Sequence, residues 1–462
     1  MGAISNLSTR LKERISKTIG GEACYFTAKV ILTNPNTAFR LEILVMTHLY
    51  ILQDFASSFM DSVKCRVQVS KDEYDQIKAN AQDLECLIIL TPANPTSGAT
   101  NIEADRIILH YLVMMTDQAD VSKVSNVGNF GGKDTDAGNL NPSQQSTRFE
   151  VELPLITKQM HDLRNSTAPI TGVSGSVESF LRWACSSLGC TSVNIVKPDV
   201  DTLPNNFQLP KSIEDPRDYF DYVRKKCNIY SKGVAIYFTD DAGYIYPLWD
   251  TDPATSPQKS VINLLNGSGS VYQGLSSYHR IKSENDIDIL ISGKTTYKTL
   301  NTAGAENYGT GVAIQDACSA INYNVTVKND GKANYADSMQ VITSQNKSAN
   351  TSSKMQRIRY GGSTSDVYGI TEKLAASNGA ILTTTWDCAW PDIIKPGQSV
   401  LYHYDKNSTE YETVKGRITR VVYTSLSGGI SNNRPMLKFV AQIEAFMEPE
   451  TSSDMTTQNL EQ

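Results

Sequence analysis

Along Val63-Lys64-Cys65-Arg66-Val67-Gln68-Val69 apolar and polar residues alternate without a break, which marks a strand with one buried and one wet face. The same reading predicts strands over 25–32, 39–51, 84–90, 107–115 and 149–155. Between two of them, Ser70-Lys71-Asp72-Glu73 forms a capping box: hydroxyl and carboxylate each satisfy the other residue's free N–H. A short helix with Tyr74 and Ile77 facing inward follows from it. Antiparallel strands interrupted by one short helix predict a small barrel or sandwich over 21–157, carrying a long Gly-, Asn-, Asp- and Ser-rich loop at 117–147.

The pattern changes after Gly172. Val177, Phe180, Leu181, Ala184 and Leu188 share one helical face, with Ser176 as N-cap and Gly189 as the C-terminal stop. Asp215-Pro216 opens a second helix bearing Tyr219, Phe220, Val223 and Cys227. A hairpin follows, its strands flanking Asp240-Asp241-Ala242-Gly243 with Gly243 where a positive φ is wanted. Residues 172–250 thus read as a compact α+β unit. From 251 to 357 the chain is polar, with strand-like pieces such as 287–291 and 323–327. Strands return at 381–386, 399–404, 414–423 and 436–446, predicting a second antiparallel barrel within 358–449 and a loose tail at 450–462. At the other end Ile4, Leu7, Leu11, Ile15 and Ile19 recur about every four residues, an amphipathic arm over 1–20. The expected fold is α+β and mainly β: two antiparallel barrels with an inserted helix-turn-helix-hairpin unit.

Composition narrows the function classes. At 462 residues with 40% hydrophobic and 20% charged side chains, the chain supports an ordered core and more than one domain. Its 43 basic and 49 acidic residues leave a net charge of -6, the wrong balance for gripping nucleic acid. No stretch approaches the ~20 apolar residues of a membrane span. The start lacks the apolar core of a secretory signal, so cytoplasmic synthesis is expected. None of the eight cysteines makes a CxxC pair; Cys65, Cys86 and Cys185 fall on apolar phases and read as small buried hydrophobes.

Motifs that carry chemistry are incomplete. Around Gly128-Asn129-Phe130-Gly131-Gly132-Lys133-Asp134, Val127 stands where a phosphate loop needs Gly, and Asp134 where it needs Ser or Thr. Asp134-Thr135-Asp136-Ala137-Gly138 lacks the third ligand and terminal Glu of a calcium loop. Gly172-Val173-Ser174-Gly175 misses the nucleophile elbow by one residue. The histidines at 48, 110, 161, 279 and 403 are isolated, with His48 and His110 in strands. No catalytic, cofactor-binding or metal-ligating residue is assigned, the binding residues are unknown, and the chain is expected not to be an enzyme. Tyr219, Tyr222, Tyr230, Tyr237, Tyr244 and Tyr246 form a cluster suited equally to a protein interface and to ordinary strands. Trp183 and Trp249 are expected in the core.

Two stretches resemble the baseplate hub proteins of contractile-tail bacteriophages, the family of the T-even hub and of the hub portion of type VI secretion spikes. One runs from Leu52-Gln53-Asp54-Phe55 through Asp61-Ser62-Val63 to the capping-box helix with Glu73-Tyr74 and the strand from Leu84. The other runs from Glu214-Asp215-Pro216-Arg217-Asp218-Tyr219-Phe220 through Cys227-Asn228-Ile229-Tyr230 to Tyr246-Pro247-Leu248-Trp249. The resemblance covers about half the chain, and 252–357 departs from it. It implies two tail-tube-like barrels in one chain and a homotrimer that joins a sixfold tail tube to a threefold central spike. The implied partners are tail-tube or tube-initiator proteins, the spike and baseplate wedge proteins, in a virion made in a bacterial cytoplasm. Two other expectations stand beside it. One is a tail-tip enzyme cutting cell-wall polymer with Asp240, Asp241 and Asp250; the other is a carbohydrate-binding module using the Tyr-rich hairpin.

Overall fold

The computed structural model describes residues 25–93, 106–114, 148–165, 176–198, 216–226, 229–230, 232–239, 241–266, 279–283, 285–299, 379–405, 411–431 and 434–448, with four short strands between 311 and 360. The predicted arm at 1–20, the loop at 117–147, the motif-like runs at 128–138 and 172–175 and the tail at 450–462 lie outside the described residues.

In chain order the elements begin β1 (Tyr25–Asn34), β2 (Phe39–Ile43), β3 (Met46–Asp54), β4 (Ser62–Ser70), α1 (Lys71–Ala79), β5 (Glu85–Ala93), β6 (Ile107–Val113) and β7 (Arg148–Ile156). Next come α2 (Lys158–Asn165), α3 (Val177–Ser187), β8 (Ser192–Ile195), α4 (Pro216–Lys226), β9 (Val234–Phe238), β10 (Ala242–Pro247), β11 (Val261–Asn266), β12 (His279–Ser283) and β13 (Asp286–Thr299). The rest are β14 (Gly311–Asp316), β15 (Asn322–Val327), β16 (Ala333–Tyr335), β17 (Ile358–Tyr360), β18 (Ala380–Asp387), β19 (Ser399–Asp405), β20 (Tyr411–Ser431) and β21 (Arg434–Met447). The fold is α+β and mainly β.

Local signals act as their chemistry dictates. In β4, Val63, Cys65, Val67 and Val69 are buried while Lys64 and Arg66 face outward and meet Glu152 of β7 at 3.5 and 2.8 Å. The capping box closes on α1, with Glu73 N–H donating to Ser70 Oγ at 3.3 Å and Ser70 N–H to Glu73 Oε2 at 2.6 Å. Ser176 caps α3, and Gly189 ends that helix in the left-handed region at φ 79°. The single strand expected over 39–51 is broken at Leu44-Val45. The break arises because β2 pairs with β1, whereas β3 turns away to pair with β4 and β20.

Pairing along β20-β3-β4-β7-β6-β5-β1-β21 and back to β20 closes an eight-stranded barrel, antiparallel at every step. The same hairpin, β20–β21, closes a second circuit of six strands in the order β11-β19-β20-β21-β18-β13, in which β11 runs parallel to both neighbours. One continuous apolar cluster fills both, from Phe26, Leu49 and Ile88 to Ile262, Ile289, Val400 and Trp386. Each such side chain contributes about 1.5–3 kcal/mol on leaving water. A second cluster, built from α3, α4 and β9, makes the core of the α+β unit, whose sheet has the order β8-β10-β9. Strands β16-β15-β14-β17 form a separate four-stranded sheet.

Candidate functional site

Thr419 is where β20 changes partners. Tyr411–Arg417 pair with β19 and Arg420–Thr424 with β3, and the register slips between Ile418 and Arg420. This bulge turns the Thr419 carbonyl out of the β20–β21 ladder, where it accepts the Phe55 N–H at 2.9 Å. β21 makes the matching change, from β18 over Val440–Met447 to β1 at Met436 and Leu437. The Phe439 carbonyl lies between the two and accepts the Ala389 N–H at 2.9 Å. Only glycine fits at position 416: a Cβ there would stand 2.4 Å from Met447 Sδ and 2.6 Å from the Phe446 carbonyl.

Arg417 lies on the opposite face of β20 from Val414 and Ile418, the face that alternation assigns to water, yet it is 0% exposed. The segment from β10 to Thr255 covers it. Nη1 donates to the carbonyls of Pro247 and Thr255 at 2.9 and 3.0 Å, and Nη2 to the Asp252 carbonyl and Thr255 Oγ1 at 2.9 Å each. The guanidinium stands 5.8 Å from the Tyr246 ring centroid. Burial pulls Arg417 down to about 10, against the opposing pull of Asp250, Tyr246 and Asp252, so it stays charged at neutral pH. Trp249 packs edge-on to Phe446 at 5.2 Å, and Thr251 donates to Glu448 at 2.9 Å. Together these contacts fasten the α+β unit to the shared hairpin.

A second joint fastens that unit to the barrel. Tyr237 of β9 belongs to the barrel's apolar cluster and meets Phe55 edge-on at 4.8 Å. Its hydroxyl donates to Asp61 at 2.6 Å, while Tyr111 of β6 and Gln53 of β3 each donate to the same carboxyl at 3.4 Å. Burial raises the Asp61 carboxyl above its usual range, only partly offset by hydrogen bonds from Tyr237, Gln53 and Tyr111 and by the charge of Lys395. Burial likewise pushes the Tyr237 phenol up, helped by Asp61. Such an arrangement holds the α+β unit and the barrel in fixed geometry.

The carboxylates weighed for catalysis are not brought together by their bonds. Asp250 pairs with Lys232 at 2.8 Å; burial raises its carboxyl, but the Lys232 bond and charge with the Asp252 N–H bring it below the ordinary value. Asp241 uses its main-chain carbonyl to accept from Thr191, and Asp240 lies outside the described residues. Among the described residues no three His, Cys, Asp or Glu side chains group as metal ligands. His48 Nδ1 lies 3.2 Å from the Ser425 carbonyl, and His403 lies between Thr413 and Asn263 at 2.9 and 3.3 Å. Of the tyrosine cluster, Tyr219, Tyr230, Tyr237 and Tyr246 are buried, so those four face the interior rather than a ligand.

Two expectations need correction. Trp183, expected in the core, is 40% exposed, because α3 turns it to the edge of its apolar face. Gly243 sits in β10 rather than at a positive φ, and its lack of a side chain serves packing: a Cβ would lie 3.0 Å from Cys185 Sγ. Arg417 and Asp61 were missed as anchors. Their role depends on what covers them, and neither position carries a local signal.

Several solved structures match this chain at low identity. They include phage tail and baseplate proteins. A tail protein from Neisseria meningitidis matches at 9% identity and a TM-score of 0.45, covering 91% of this chain and 96% of its own. The 43 kDa tail protein of prophage MuSo2 from Shewanella oneidensis matches at 10% and 0.45, over 91% and 98%. The lidded PdpA-VgrG complex of Francisella matches at 9% and 0.47, over 97% of this chain and 57% of that one. No protein-family model matches the chain, and no curated protein does. No helix among the described residues is long and apolar enough to cross a membrane.

Proposed function

We propose that the chain is a non-enzymatic structural protein of a virion tail: a baseplate hub that assembles as a homotrimer and adapts a sixfold tail tube to a threefold central spike. The observation that carries this reading is that one polypeptide closes two strand circuits on a single hairpin, one of eight strands and one of six. Three copies would then set six barrel-like bodies around one axis. The joints at Arg417 and Asp61 support it, since an adapter must hold its inserted α+β unit fixed against the barrel strands under load. The net charge of -6 suits a bore through which DNA passes without sticking. Tube or tube-initiator proteins would dock above, the spike below and wedge proteins around the rim, in a virion made in a bacterial cytoplasm.

Quantitative mass spectrometry of purified tail particles tests the reading. Three copies per tail are expected. A chain missing from the particle fraction, or present in any other number per tail, contradicts it, as does release of product from peptidoglycan.

A further inference from the structure

The turn that closes α3 has a cysteine at each end. The Gly189 N–H donates to the Ser186 carbonyl at 3.0 Å and the Cys190 N–H to the Cys185 carbonyl at 3.2 Å, the paired bonds of a helix ended by a left-handed glycine. Such a turn sets the side chains of its first and last residues against each other. Here those residues are Cys185 and Cys190, 0% and 7% exposed, both free thiols and both in the apolar cluster of the α+β unit. With the 3.2 Å bond between them, ordinary backbone dimensions hold the two Cα atoms within about 7 Å, the outer limit for a disulfide. The thiols of the barrel are placed differently: Cys65 and Cys86 lie on β4 and β5, which β7 and β6 separate in the barrel wall.

The surroundings of Cys185 and Cys190 favour a bond that stays closed. Burial raises the Cys185 thiol, helped by Cys190 and opposed by Arg182, and burial together with the charge of Asp241 pushes the Cys190 thiol up to about 11. Neither thiolate is stabilised, so nothing draws a closed pair back toward reduction, while scarcity of thiolate makes closure slow. Cys185 Sγ already occupies the space that Gly243 leaves, where a Cβ would stand 3.0 Å away. A disulfide adds no group to this cluster that needs a hydrogen-bond donor.

We propose that Cys185 and Cys190 join in an intramolecular disulfide when the folded chain meets an oxidised thiol such as glutathione disulfide. Cys190, the more exposed, attacks as thiolate; one glutathione leaves as thiolate and the other stays joined to Cys190 Sγ. Cys185, as thiolate, then attacks Cys190 Sγ, and the second glutathione leaves. The two protons shed by the cysteines end on the two glutathiones, so the chain loses two electrons and glutathione disulfide gains them. The bond staples the end of α3 to the start of β8, an edge strand of its sheet, just where the Thr191 and Ser192 N–H groups donate to the Asp241 carbonyl.

Peptide mapping of the full folded chain held in glutathione disulfide tests it. Trypsin releases residues 183–211, because Pro198 protects Lys197, and Cys185 and Cys190 are the only cysteines in that peptide. It is expected two hydrogens lighter than from reduced chain and closed to alkylation, with closure about tenfold faster for each pH unit between 7 and 9. The Gly189 and Cys190 amides are expected to exchange about 40-fold more slowly once the bond is closed, since bridging six residues removes that much freedom from the opened turn. Cys190→Ala, treated alike in the folded state, is expected to keep Cys185 as a free thiol. Refolding the reduced wild type in a glutathione buffer removes burial as a barrier to the oxidant, and the same lighter peptide is expected. A peptide with both thiols free after refolding, a glutathione adduct that persists on Cys190, or a link from either residue to another cysteine overturns the proposal.

Discussion

Replacing Arg417 with Met keeps most of the buried stem and removes the guanidinium. Three main-chain carbonyls, those of Pro247, Asp252 and Thr255, then lose their donor in an enclosed space. Each orphaned acceptor costs about 1–3 kcal/mol. The folded state no longer bears the desolvation of a buried cation, which returns part of that cost, and a net loss of about 3 kcal/mol follows. The loss falls on the joint rather than on the barrel. Hydrogen exchange reads it directly: the Leu248, Trp249 and Thr255 amides, bonded to Gly233, Lys232 and Asp252, are expected to exchange about 100-fold faster in the variant. Amides of β4 and β5 are expected to keep their wild-type rates. Arg417→Lys keeps the charge but not the forked reach to the carbonyls of Pro247 and Asp252, and about a tenfold increase is expected. Unchanged rates in the Met variant would refute the assignment of Arg417 as the anchor, as would acceleration spread evenly over the whole chain.

Other consequences follow from the same contacts. Because the folded state raises the Asp61 carboxyl above its ordinary value of 3.8, the folded chain binds the extra proton between 3.8 and that raised value, and stability falls as pH rises through this window. Asp61→Asn is expected to flatten that slope in unfolding measured against pH; an unchanged slope would place its origin elsewhere. Asp250, held below 3.8, works in the opposite sense, with its contribution present above that value and lost on acidification. Gly416→Ala drives a methyl against Met447 Sδ at 2.4 Å and the Phe446 carbonyl at 2.6 Å; a loss of about 1–3 kcal/mol is expected in chemical denaturation, and a neutral result would mean that the crossing is loose. Burial pushes the Cys86 thiol up to about 12 and raises the Cys65 thiol well above its usual value, so neither is expected to react with a thiol reagent at pH 8 until the chain unfolds, which a timed labelling assay checks.

Signals that act within a few residues were legible in the sequence. The Ser70–Glu73 box, the Ser176 cap, the Gly189 stop and the alternation of β4 from Ser62 to Val67 each depend on near neighbours and form as expected, whereas Gln68, expected on the wet face, is buried. Pairing across hundreds of residues was not. Thr424 takes Tyr50 on one side and Val440 on the other, and no pattern in β20 announces that its two halves serve different circuits. Arg417 illustrates the difficulty for the site. Its strand alternates, so the sequence assigns it to water, and only the docking of the Pro247–Thr255 segment encloses it. The tyrosine cluster is ambiguous for the same reason, since a strand whose two faces are both covered shows no alternation. The β9 residues are buried at all five positions.

An electron-microscopic reconstruction of the assembled chain, made without imposed symmetry, bears most directly on the adapter role. Three subunits around one axis are predicted, with six barrel densities at alternating positions, larger and smaller, and an open centre. A particle with one barrel density per subunit, or with any rotational order other than three, would contradict the account.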